Sequence, residues 1–422
     1  MRKYLKPNMM QIQALCKWLC LIAAVICAVL YGLAIYRLAV NAPFGDDFDA
    51  ILGFLNTYQG SSPSSYLNLF FAQHNEHRIV LSKLIQTIYF TLFGKINFSH
   101  LIWIGNIAWF ATIYLLWRYS KKSGITLYQF APVIIVLLTF THYNLMTWAM
   151  ASIALYYQIL FACLTLYAMV SQRPLLALGF FLIGLFTGGG GIAVAPLLLL
   201  FYALQRQWRL FVLALITAIS GLCIYFLVFP YVSPTGHAHP LSNLLHPELM
   251  LQYFFVFLGG FVKESPLVSG ICGVLIAGLF VKYTKPIYKK SSYLWWVALF
   301  IFCIAGMLSI TRSGFGIEQA TSSRYSQYSL LIISILYLSY LMHCTTARSR
   351  LLATGAGLLF AVILFKTWYP LAMENMRERS QILLQNPLKT YYDAVNGQRI
   401  LDKSKALGIF ELTPNPKFRG ID

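Results

Sequence analysis

Residues 14–49 read ALCKWLCLIAAVICAVLYGLAIYRLAVNAPFGDDFD, and the fold follows from them. Residues 14–40 carry only Lys17 and Arg37 as charges, each near an end where a long side chain can reach the interface. About 20 mostly apolar residues suffice to cross a bilayer, so this run spans one. The basic start (Arg2, Lys3, Lys6) resembles that of a secretory signal, but the run is too long and no A-x-A site follows it. It reads as an uncleaved anchor. Directly after it come three acids, Asp46, Asp47 and Asp49.

The rest of the chain repeats the pattern. Of 422 residues, 59% are hydrophobic and 11% charged, against about 25% charged in a soluble domain. That excludes a water-soluble globule, a disordered chain and a disulfide-stapled secreted domain. The expected class is an all-α polytopic membrane protein of about eleven spans: 14–40, 99–117, 127–142, 146–170, 174–188, 190–205, 209–230, 266–283, 293–311, 327–343 and 351–369. Residues 249–262 form either a twelfth segment or a half-helix in the interface. With the N-terminus cytoplasmic, the inner segments collect Arg118, Lys121, Lys122, Arg173, Arg206, Arg209, Lys282, Lys285, Lys289, Lys290, Arg348 and Arg350 and no acid, as the positive-inside rule requires. The same rule accounts for the net charge of +19 without nucleic acid. All 13 acids fall on the opposite side, where no topological rule needs them, so polar chemistry is expected there. The cysteines lie in spans or, for Cys344, at an inner edge, and imply packing rather than disulfides.

The first outer loop, 41–98, is expected to hold two interfacial helices. In one, Phe48, Ile51, Leu52 and Leu55 share a face opposite Asp46, Asp49, Gly53 and Asn56. The other, 79–94, carries a polar stripe of Ser82, Lys83, Gln86, Thr87 and Thr91. One Asp suffices to cap a helix, whereas three in four residues suit general-base catalysis with a neighbour that positions substrate or binds a cation. The string His74-Asn75-Glu76-His77-Arg78 matches no strong zinc signature. It is either a solvated helix start with Glu76 paired to Arg78, or a cluster that binds an anionic headgroup or a sugar.

Later outer segments add Arg312, Glu318, Arg324 and Tyr325 within 311–328. These are either interfacial anchors or a phosphate site, since the planar guanidinium grips phosphate oxygens in pairs. His237, His239 and His246 in 231–248 read as solvated, and Thr187-Gly188-Gly189-Gly190-Gly191 as a tight turn between helices, because no Lys-Ser/Thr follows it. The chain divides into a membrane domain, 1–370, and a tail, 371–422, too small for a strong core of its own and expected to dock on the outer surface.

An opening span followed at once by an acidic pair, a long outer loop with two surface helices and about ten further spans resembles the GT-C superfamily of integral-membrane glycosyltransferases, which includes protein mannosyltransferases and lipid A aminoarabinose transferases. Gly-Asp-Asp-Phe-Asp, His-Asn-Glu-His-Arg and Ser-Arg-Tyr are similar to strings in bacterial members that decorate O-antigen and other surface glycans. The resemblance covers roughly 1–370. It implies a bacterial inner-membrane enzyme with the N-terminus cytoplasmic and the C-terminus periplasmic. Its donor would be a polyprenyl-phosphate-linked sugar and its acceptor a glycan or lipid-linked molecule, with inversion at the anomeric carbon. By the resemblance Asp46 is the base and Asp47 its catalytic neighbour. Asp49, His74, Glu76, His77, Arg78, Arg312, Arg324 and Tyr325 are the candidate substrate-binding residues. No metal ligand set is assigned, and a divalent cation at the acids stays open. A lipid-linked-sugar flippase or transporter, and an O-antigen ligase or acyltransferase, are the competing classes. Span interiors free of ionisable residues speak against ion-coupled transport, and the acid triplet is unexplained by the others.

Overall fold

The computed structural model describes residues 5–232, 240–262 and 265–412; His237, His239 and Glu264 lie outside them. The chain is 83% helical, and among the described residues the β pairing recorded is an isolated bridge between His74 and His77. It is an all-α polytopic membrane protein. Nine helices among the described residues are long and apolar enough to cross a membrane: Gln11–Leu38, Phe98–Lys122, Leu127–Met146, Ala149–Val170, Trp208–Val228, Pro266–Lys290, Ser292–Phe315, Ser323–His343 and Ala347–Gln385.

Two of the eleven expected spans, on either side of the expected glycine turn, are short apolar helices, Pro174–Leu185 and Gly189–Leu204. Residues 174–188 resolve into the helix Pro174–Leu185, and 190–205 into a 3-10 segment Gly189–Val194 followed by Ala195–Leu204. Twelve helical residues rise about 18 Å, short of the roughly 30 Å hydrocarbon core. The glycine run explains the break. A Cβ at Gly191 would lie 2.3 Å from the Gly184 carbonyl oxygen, and one at Gly190 2.1 Å from the Gln158 amide. The chain therefore turns where only glycine fits. Pro247–Leu258, in the uncertain 249–262 region, is also a 12-residue helix.

Two compact units form, one from Met1–Ala34, Ile113–Tyr143 and Ala238–Met373, the other from Ile35–Thr112, Asn144–His237 and Glu374–Asp422. Within the first, Pro247–Leu258 packs on Pro266–Lys290 at glycine contacts. A Cβ at Gly259 would stand 1.8 Å from the Ser269 oxygen, and one at Gly273 1.8 Å from the Phe255 oxygen. Small residues that let backbones touch are the usual adhesive between helices in lipid. Gly273→Ala should therefore cost about 1–3 kcal/mol, read as a lower melting temperature in detergent; an unchanged value would mean the two helices are not seated this closely.

The tail begins within one helix, Ala347–Gln385, of 39 residues with Pro370 inside it and about 58 Å long; from Glu374 on it belongs to the second unit. Beyond it, the helix Ala394–Ala406 packs on the segment 41–98: Asn56 Nδ2 donates to the Ile400 carbonyl at 3.0 Å and Ser404 Oγ to Asn56 Oδ1 at 2.8 Å. The predicted apolar face is buried as expected, with Phe48, Ile51, Leu52 and Leu55 at 0% exposure. On the opposite side Asp49 and Asn56 are covered by the tail. This stretch is a π-helix, Phe48–Gly53, running into the α-helix Phe54–Gln59.

Candidate functional site

The three aspartates part company by burial. None caps the helix they open; its N-cap, Asp47, makes no side-chain cap bond. Asp47 is 1% exposed and accepts the main-chain N–H of Met150 at 2.8 Å on Oδ1 and of Phe44 at 3.1 Å on Oδ2. It ties the turn after the first span to the start of Ala149–Val170. Asp49 Oδ2 accepts the hydroxyls of Tyr391 at 2.5 Å and Tyr392 at 3.3 Å, and Tyr391 stacks on Phe48 at 4.8 Å. It fastens the tail. Asp46 has neither task. Its side chain is 35% exposed, with His74 Nε2 at 4.0 Å and Asn75 Nδ2 at 3.5 Å from Oδ2.

The His-Asn-Glu-His string is a tight turn rather than a helix start. His74 and His77 exchange main-chain bonds of 2.8 and 2.9 Å, with Asn75 at φ 47° at the corner, a left-handed conformation that Asn tolerates well. Glu76 meets His77 at 3.5 Å. The glycine run closes against this turn, since a Cβ at Gly189 would lie 2.7 Å from His77 Nδ1. His74 points the other way, its Nε2 buried and without a hydrogen-bond partner. Burial holds its pKa below the usual histidine value, outweighing the opposite pull of Asp46 and Asp49. Asp46 keeps an exposed side on which its carboxylate can accept a hydrogen bond from a hydroxyl.

Arg78, expected to bind substrate, is spoken for. Fully buried, it donates to the carbonyls of Tyr225, Phe71, Phe229 at 2.9 Å and Pro230 at 3.2 Å. Those oxygens close the Trp208–Val228 span and the Tyr66–Phe71 helix, whose last carbonyls lack partners of their own. Lys83 does similar work, with Nζ on Leu69 and Ala72 carbonyls at 2.9 and 2.7 Å, and burial pushes it down to about 8. Both cations hold the loop together.

Two further parts of this site were not singled out from the sequence. Arg379 reaches the Thr147 hydroxyl and the Asn144 side chain at 3.3 Å and lies 4.8 Å over the Phe44 ring, so it braces the turn that Asp47 anchors. Tyr391 and Tyr392 hold Asp49. All three come from the tail; an Arg continuing the helical register past Pro370 was the available signal. Arg312, Arg324 and Tyr325 belong to the other unit. There the Arg312 guanidinium lies 5.5 Å over Phe315 and that of Arg324 5.3 Å over Tyr325. In the same unit His142, buried within the Leu127–Met146 span, meets the Tyr31 hydroxyl at 3.3 Å. His142 is thus an ionisable group inside a span, where none was expected. His246 pairs with Glu248 at 3.2 Å, both 60% exposed. No group of three His, Cys, Asp or Glu able to hold a metal ion occurs among the described residues.

Burial raises Asp47 to about 7, against the lowering effect of its two main-chain donors; the Asp46 charge adds to the rise and Arg379 opposes it. The unfolded side chain ionises near 3.8, so between about 4 and 7 the folded state holds the extra proton. Stability is then fullest at acid pH, falls by up to about 1.4 kcal/mol per pH unit across that window, and levels off above it. The melting temperature should follow this curve in the wild type and lose the component in Asp47→Asn, which is also weaker throughout because one amide N–H₂ must face a main-chain N–H. An equally steep fall in the variant would remove Asp47 as the source. No family model, no curated protein and no solved structure matches this chain.

Proposed function

We propose that this protein is a GT-C-type membrane glycosyltransferase that moves a sugar from a polyprenyl-phosphate carrier to a surface glycan or lipid-linked acceptor, with Asp46 as the general base. One observation carries the reading. Of the three aspartates, Asp46 alone is spared from holding the fold, and His74 and Asn75 converge on its carboxylate. An acceptor hydroxyl bonded there loses its proton to Asp46 as its oxygen attacks the anomeric carbon. The carbon–oxygen bond to the carrier phosphate breaks, and its electron pair leaves with the phosphate, so configuration inverts. Asp47 becomes a positioning residue rather than a second catalytic acid, and Asp49 serves the tail.

The odd number of long spans supports opposite sides for the two ends of the chain, and the charge pattern supports a cytoplasmic N-terminus in a bacterial inner membrane. The test is direct. Purified protein is incubated with a panel of radiolabelled undecaprenyl-phosphate sugars and candidate glycans. Transfer of one sugar to an acceptor with release of undecaprenyl phosphate is expected. Failure across the panel, with the lipid instead moved between leaflets of a vesicle, would establish the flippase.

A further inference from the structure

The first unit buries a polar cluster that the proposed reaction leaves unused. Where Ser292–Arg312 ends and Ser326–His343 begins, the hydroxyls of Ser313, Ser323 and Ser326, Nε of Arg324 and both amide atoms of Gln327 are buried without a hydrogen-bond partner. Gln327 is 0% exposed, and the three serines are 6% exposed or less. Ser323 opens the 3-10 turn Ser323–Tyr325, and Ser326 and Gln327 follow it as the first two residues of the helix Ser326–His343. An unmet buried polar atom costs about 1–3 kcal/mol, so five of them within residues 323–327 are unfavourable unless something meets them.

The donor and acceptor inventory says what enters. A phosphate accepts from Gln327 Nε2 and Arg324 Nε but sets a second acceptor against Gln327 Oε1. An ammonium satisfies Oε1 and repels the arginine. Two neighbouring hydroxyls, each donor and acceptor at once, meet both ends of the carboxamide, and the serines are matched in the same way. We infer that Gln327, with Arg324 and Ser326, forms a binding site for the vicinal hydroxyls of a saccharide. Whether that saccharide is the donor's or the acceptor's rests on the transferase reading; that the site takes one does not. Ordered water has the same dual character, and the experiment must separate the two.

Wild-type protein in nanodiscs is titrated with undecaprenyl phosphate, with the undecaprenyl-phosphate hexoses, and with free oligosaccharides from candidate surface glycans. The expected result is at least tenfold tighter binding of one saccharide-bearing ligand than of its deoxygenated or sugar-free counterpart. A preference among the lipids assigns the donor, and one among the free glycans the acceptor. Gln327→Met, which keeps the length of the side chain and removes both polar atoms, should bring the ratio to about one, while the ligand-free protein melts no lower than wild type. Ser326→Ala serves as a second, smaller change and should cut the ratio several-fold. An unchanged ratio in both variants, or no preference in the wild type, would leave water as the occupant and overturn the site. Asp46→Asn separates the two claims, because it should abolish transfer and keep the ratio. Lost transfer with an unaffected ratio in Gln327→Met sinks only the saccharide site, and the reverse pattern sinks only the base.

Discussion

Asp46→Asn should insert, fold and accumulate as the wild type does while sugar transfer falls by about 10²–10⁴-fold, the usual contribution of a positioned proton acceptor. The separation of activity from stability is the sharp part. Asn has the shape of Asp but cannot take a proton from a hydroxyl, and position 46 holds no bond that the fold needs: its side chain is 35% exposed, and its nearest polar neighbours stand 3.5 and 4.0 Å away. Changes at such positions usually move stability by no more than about 0.5 kcal/mol. The two neighbours should behave in the opposite way. Asp47→Asn loosens the tie to Met150 and Phe44, and Asp49→Asn releases Tyr391 and Tyr392, so both should lower the melting temperature and affect transfer through it. Initial rates and melting curves on the three variants decide. Full transfer in Asp46→Asn would remove it as base, and an equal loss of melting temperature in all three would reduce the cluster to a structural knot.

The spans were legible because a bilayer imposes a length and a composition that any window of the sequence can be measured against. The turn at Thr187–Gly191 was legible as well, from its glycines, and the helices on either side of it, Pro174–Leu185 and Gly189–Leu204, are shorter than the nine long ones. The acid cluster was legible too, as an excess of carboxylate over what a cap requires. Its division of labour was not, since Asp47 is fixed by Met150, about a hundred positions away, and Asp49 by Tyr391 in the tail. Partners at that separation leave no periodicity to read. The same holds for Asn56, placed on the polar face of a surface helix by its spacing and in fact bonded to the Ile400 carbonyl and the Ser404 hydroxyl. The hydrogen bonds of Arg78 were hidden for a related reason: its partners are main-chain oxygens, which every residue has and no sequence displays.

Arg78→Met should be the most damaging single change to stability in the loop-bearing unit. The guanidinium spreads its donors over four carbonyls and lies 5.6 and 5.8 Å from the ring centres of Tyr225 and Phe229. Hydrogen bonds from a charged donor are worth about 1.5–3 kcal/mol each, and methionine fills the volume while returning none of them. The oxygens at Tyr225, Phe229 and Pro230 belong to the end of a span, where neither water nor another N–H replaces the lost partner cheaply. Even two bonds lost without compensation amount to about 3–6 kcal/mol, a large share of the 5–15 kcal/mol that holds a typical domain together. The expected result is little folded protein recovered in detergent and a melting temperature at least about 10 °C lower in what is recovered. Arg78→Lys should recover part of the loss, since one ammonium offers three donors but cannot reproduce the planar fork. A substrate-binding arginine predicts something else: an unchanged melting temperature and a raised KM for the lipid-linked donor. If Arg78→Met behaves in that second way, the carbonyls at 225–230 are satisfied without it, and the cation belongs with the substrate after all.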